Sequence, residues 1–162
     1  MKTAIIITGT ICSGKSTLSK KIGESLSINV LNENNSKHFF GIIERIKEND
    51  FISPIIIEHT DIINVFNGKT SHDISGYFDK NIIILMNVSD GILTENINAR
   101  KSRGATGDYL KVDMFAMKKN IEIKFNELSN NFIKYIANIN TVDDYEYEYQ
   151  NIITFLSEHL RI

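Results

Sequence analysis

The 162-residue sequence has one cysteine, Cys12, so no internal disulfide can form; such thiol usage fits a reducing compartment. Its one proline, Pro54, stands where an apolar run begins, a position that a strand tolerates. No apolar stretch nears the ~20 residues needed to span a bilayer. The chain opens directly on a strand pattern rather than on a targeting segment. A cytoplasmic protein without a membrane partner is expected. The formal net charge of −2 excludes a global basic field for long nucleic acid and leaves a short strand or a single nucleotide feasible. Linkers, repeats and low-complexity stretches are missing too, which implies a single domain over residues 1–162.

What is present begins with Gly9 to Thr17, which reads G-T-I-C-S-G-K-S-T and matches the phosphate-binding pattern G-x-x-x-x-G-K-[ST] throughout. Gly9 and Gly14 permit a tight backbone path whose N–H groups face phosphate oxygens. Thr10, Ile11, Cys12 and Ser13 form the body of the loop, with Cys12 read as a small spacer rather than a nucleophile. Lys15 is placed to reach the β- and γ-phosphates. The Ser16 hydroxyl is placed to complete Mg²⁺ coordination, and Thr17 follows on the helix. A helix opening near Gly14 would aim its positive dipole end at the same phosphates. Ala4 to Thr8 is β-branched and apolar, as a buried strand should be, and Leu18, Ile22 and Leu26 fall at helical spacing behind the loop. The chain is therefore expected to bind ATP or GTP with Mg²⁺.

The remaining pattern alternates strand with helix. Strands are predicted at 28–31, 54–58, 82–86 and 132–137. Helices are predicted through Phe39 to Ile46, from Asp90 as cap to about Arg103, from about Lys111 to Leu128, and from Asp143 or Asp144 to the end. Unbroken apolar strands indicate burial on both faces. Together these elements predict a three-layer α/β fold of the P-loop NTPase type, with a five-stranded parallel sheet and a helical lid over about residues 90–110. Ligands on such sheets sit outside the carboxyl ends of the strands.

That rule selects the candidate residues. Glu58 and Asp61 both follow strand three and can serve the metal; Asp61 is favoured, although alternation at a strand end does not separate them. His59 between them is a candidate for acceptor contact. Arg100 and Arg103 share a helical face and can neutralise charge on a transferred phosphoryl group, with Gly104, Thr106 and Gly107 suiting a hinge. Thr141 to Asp144, Val142 included, would lie beside the nucleotide base, although Asp143 serves equally well as a helix cap. After strand two, Glu33 is the only acid able to take a hydroxyl proton, while Asn35, Ser36 and Lys37 can bind the acceptor. No N-K-x-D motif is present, which disfavours a GTPase switch.

Three segments carry a resemblance: Thr8 to Thr17 (TGTICSGKST), Ile55 to Asn64 (IIIEHTDIIN), and Met86 to Gly104 (MNVSDGILTENINARKSRG) with Tyr109 to Phe125 (YLKVDMFAMKKNIEIKF). In these the chain resembles the small P-loop kinases, and among them most closely the kinase domain of 5′-polynucleotide kinases. The resemblance implies transfer of a γ-phosphate to a nucleic-acid 5′-hydroxyl end, with a nucleoside or nucleotide acceptor, or an NTP-binding module without acceptor, as alternatives. It also implies that His59 and Asp61 occupy the post-strand-three motif and that Arg100 and Arg103 are lid arginines. Two positions depart from the family. Cys12 stands where glycine is common, and Asn34, Asn35 and Lys37 stand where an aspartate base and an arginine are expected.

Overall fold

A computed structural model describes residues 1–36, 38–104 and 113–160. The organising element is β1 (Thr3–Thr8), buried along its whole length. It pairs in parallel with β3 (Ile55–Glu58) on one side and β4 (Lys80–Val88) on the other, and β2 (Asn29–Leu31) and β5 (Ile133–Ile139) form the edges. Every pairing is parallel, in the order β2-β3-β1-β4-β5. Register lines isoleucines up across the centre: Ile56, Ile5 and Ile82 form one row, and Ile57, Ile6 and Ile83 the next. Their stiff branched side chains suit a pleated, fully buried surface.

Successive residues of a strand face opposite ways, so each row supplies a different core. One core joins Ala4, Ile6, Ile57 and Ile83 to Ile42 and Ile46 of α3 (Phe39–Lys47) and to Ile121 and Phe125 of α5 (Met114–Asn126). The other joins Ile5, Ile7, Ile56 and Ile82 to α1 (Lys15–Leu26), α4 (Asp90–Ser102) and α6 (Asp144–Leu160) through Leu18, Ile22, Leu93, Ile152 and Leu156. Two helical layers around a parallel sheet result, as expected.

Several boundaries differ from the sequence reading. The polar run after β2 contains a short helix, α2 (Glu33–Ser36). Ser89 rather than Asp90 caps α4, accepting from the Ile92 amide at 3.3 Å; a hydroxyl one residue before the first turn competes well for that role. Between β3 and β4, two 3₁₀ turns (Ile62–Asn64 and Ser75–Tyr77) bring Phe66, Ile74 and Phe78 into the first core. Asp144, not Asp143, opens α6. Its carboxylate accepts from the Asn140 and Thr141 amides at 2.9 and 3.0 Å, and those bonds lower its pKa. Of the expected lid, α4 is described, whereas Thr106 and Gly107 lie outside the described residues.

Candidate active site

The loop from Gly9 to Gly14 leaves the carboxyl end of β1 and runs into α1. A Cβ on Gly9 would stand 2.8 Å from Ser13 Oγ and 3.0 Å from Met86 Cβ, so the path is too tight for any side chain there. Gly14, with φ 89°, is the residue before the first turn of α1. A turn is closed by the Ser13 amide donating to Thr10 O at 3.2 Å, and Cys12 within it has φ 69°. A residue with a Cβ is disfavoured in that left-handed region by roughly 1–2 kcal/mol. Burial pushes the Cys12 thiol pKa up, with Arg100 and Lys15 pulling the other way, so the side chain stays a protonated filler.

Lys15 is 8% exposed and donates from Nζ to Thr10 O at 3.3 Å. Burial lowers its pKa, Glu58 opposes that, and Arg100 adds to it. A poorly compensated buried ammonium aimed along a loop of amides is a receptor for polyanions. Ser16 Oγ donates to Glu58 Oε1 at 2.8 Å, and Glu58 is buried whereas Asp61 is exposed. Strand phase explains the choice. Ile56 packs in the α1 core, so Glu58, two residues on, faces α1 as well. Of the two acids, Glu58 is the one that meets Ser16, whereas the favoured Asp61 makes no such contact among the described residues. A hydroxyl and a carboxylate are hard oxygen donors of the kind that Mg²⁺ takes beside phosphate oxygens.

Behind the loop lies a cleft of about 320 Å³ whose walls include Gly14, Thr17, Lys21, Asn96, Arg100 and Tyr145. Arg103, Ala99 and Tyr149 line it too. Asn96, Ala99, Arg100 and Arg103 recur at helical spacing and present one face of α4, and Tyr145 and Tyr149 do the same on α6. The structure thus places both arginines in the wall of this cleft. It does not place Val142 there; that residue is 65% exposed and outside the cleft wall. Asn96 and Tyr145 escaped the sequence reading, although each stands one turn from a residue that it had singled out.

The segment after β2 presents side chains rather than a loop of amides. Glu33, first residue of α2, meets His59 Nε2 through Oε1 at 2.7 Å. His59 Nδ1 accepts from the Asp61 amide at 2.9 Å, so in the neutral ring Nε2 carries the hydrogen and donates to Glu33. The imidazole stacks on Phe39 at 4.5 Å between centroids. Its side chain is 11% exposed against 55% for Glu33. Both ring nitrogens of His59 are thus engaged within the protein, one of them with Glu33. Asn35 is likewise committed: Oδ1 accepts from the Asn32 amide and from Ser36 Oγ, and Nδ2 donates to Val30 O. These bonds close the β2–α2 turn. Lys37 lies outside the described residues.

No protein-family model and no curated sequence matches the chain. Solved structures do. Deoxyadenosine kinase from M. mycoides with bound dATP superposes at TM-score 0.61 with 18% identity, over 95% of this chain and 99% of that one. The YorR protein of Bacillus subtilis, in complex with phosphorylated GDP, gives 0.61 and 16%, over 96% and 97%. The fold is that of the small P-loop kinases. Shikimate kinase from Acinetobacter baumannii in complex with shikimate also fits, at 0.61 and 12%, over 98% and 95%. At these identities the likeness is one of fold, and it does not single out the polynucleotide kinases. No described helix is long and apolar enough to cross a membrane.

Proposed function

We propose that the protein is an NTP-dependent phosphotransferase that moves the γ-phosphate of ATP or GTP to a hydroxyl of a nucleoside or nucleotide. The observation that carries this reading is the Glu33 carboxylate. It stands just beyond the carboxyl end of β2, at the sheet end where the phosphate loop leaves β1. Glu33 takes the proton of the acceptor hydroxyl, the freed oxygen forms its bond to the γ-phosphorus, and the bond from that phosphorus to the β-phosphate bridging oxygen breaks to release the diphosphate. Lys15 holds the β- and γ-phosphates, and Arg100 and Arg103 neutralise charge on the transferred group. Ser16 and Glu58 would hold Mg²⁺, which when bound supplies further charge neutralisation at the phosphates.

Nucleotide-sized acceptors are favoured because deoxyadenosine kinase and a protein carrying phosphorylated GDP share the fold over nearly the whole chain. The second reading, a nucleic-acid 5′-hydroxyl end, rests on the resemblance of the β3 and α4 segments to polynucleotide kinases. The test offers terminally labelled ATP to deoxynucleosides, nucleoside monophosphates, shikimate and a 5′-hydroxyl oligonucleotide, each with Mg²⁺. Label on a nucleoside or nucleotide is the expected result. Label on the oligonucleotide alone selects the second reading, and free phosphate alone removes the kinase.

A further inference from the structure

A phosphate loop works only if its amides point inward, and each such amide has a carbonyl on the preceding residue pointing outward. In this loop the carbonyls of Cys12 and Ser13 are taken by two side chains from distant parts of the chain. Asn96 Nδ2, on α4, donates to Cys12 O at 2.8 Å and to Tyr145 OH at 3.0 Å. Tyr145, on the first turn of α6, donates from its hydroxyl to Ser13 O at 3.1 Å. The Tyr145 ring lies against Gly14, where a Cβ would stand 2.9 Å from Cε1. Burial raises the phenol pKa, so the hydroxyl keeps the hydrogen that it donates.

The loop has few internal bonds of its own. Thr10 O accepts both the Ser13 amide and the Lys15 ammonium. Cys12 meanwhile occupies a left-handed conformation that favours glycine. Peptide planarity then does the rest: fixing Ser13 O outward fixes the Gly14 N–H in the opposite direction, into the phosphate site.

We propose that Asn96 and Tyr145 are positioning residues that latch the Cys12–Ser13–Gly14 peptides in the phosphate-binding conformation. They act through the loop, without touching the nucleotide phosphates. Because Asn96 stands one and two turns before Arg100 and Arg103, the latch also sets these arginines at a fixed distance from the loop. The inference rests on reading the loop as an NTP site.

The test uses the full chain with Tyr145→Phe, which keeps the ring over Gly14 and loses only the hydroxyl, and with Asn96→Ala. In the unliganded protein, the Ser13 amide, which donates to Thr10 O, should exchange with solvent about five- to tenfold faster in either variant, while the amides of β1 and β4 are unchanged. The Kd for Mg-ATP, measured well below the unfolding temperature, should rise by a similar factor with Tm within a few degrees of wild type. The acceptor KM should stay constant. Unchanged loop exchange overturns the latch, and so does faster exchange with an unaltered Kd. A fall in Tm without either change marks both residues as packing alone and overturns it as well. A wild-type protein that binds no ATP overturns the proposed function, and the exchange measurement still decides the latch.

Discussion

The proposed donor and acceptor halves of the site lie at one end of the sheet but are made differently. The donor half is main chain: amides of a loop and a helix start, backed by Lys15 and braced from outside by Asn96 and Tyr145. The acceptor half is side chain: a half-exposed Glu33 held by His59, itself fixed by the Asp61 amide and the Phe39 ring. Backbone recognition suits a constant group, the triphosphate, and tolerates little variation in the residues that shape it. Side-chain recognition suits a variable group, since each contact can be exchanged singly while the sheet stays intact. On the proposed function, the difference locates where specificity can change: at α2 and α3, not at the loop.

The largest expected effect breaks the donor half. Lys15→Met should lower kcat by about 10³-fold, as loss of a preorganised charge does. The same change should stabilise the unliganded protein, because burial disfavours the ammonium. The sign follows from linkage. With its folded pKa depressed, Lys15 binds fewer protons in the folded than in the unfolded state between that depressed value and 10.5, so wild-type stability rises with pH through this window. The Tm advantage of Lys15→Met should therefore shrink as pH approaches 10.5, which parallel melting curves will show.

Glu33→Gln breaks the acceptor half. It keeps a hydrogen-bonding oxygen for His59 and removes the base, so kcat should fall about 10²-fold while Mg-ATP affinity is unchanged. An unaltered kcat would place the proton elsewhere and undo the contrast between the halves. Arg100→Ala and Arg103→Ala should each lower kcat about 10- to 100-fold, with a smaller change in the ATP KM. Equal changes in both parameters would make them simple binding residues. The finest comparison sets Glu58→Gln against Asp61→Asn. The first should raise the Mg²⁺ concentration for half-maximal rate about tenfold, and the second should leave it within about twofold, both read from magnesium titrations of the rate.

These halves were also unequally legible in the amino-acid sequence. The loop could be read because its geometry demands particular residues in an unbroken run, Gly9 through Ser16. The strands could be read because Ile5 to Ile7, Ile55 to Ile57 and Ile82 to Ile84 are apolar on both faces. That same uniformity hid the choice between Glu58 and Asp61. An all-isoleucine strand carries no mark of which face meets α1, and only packing on Leu18 and Ile22 reveals it. The Glu33–His59 pair spans 26 residues of chain, and the Tyr145–Ser13 bond spans 132. Contacts this distant leave no local spacing to detect. The turn-closing bonds of Asn35 were not legible either, because a short polar side chain reads alike whether it meets substrate or closes a turn.

The phase of β3 sets different limits on substitution and on change of chain length. Ile7 stands opposite Glu58, and the alternation along Ile55, Ile56 and Ile57 decides which face the carboxylate takes. Exchanging any of these isoleucines for valine would cost about 1 kcal/mol and leave Glu58 beside Ser16. One extra residue in the same stretch would turn the carboxylate toward α3 and present a different side chain to the loop, however well the new strand packed. The exposed turn from Gly68 to His72 carries no such phase. That turn is held instead by its own hydrogen bonds to Asn67, whereas the length of β3 is tied to the hydroxyl–carboxylate contact of Ser16 with Glu58.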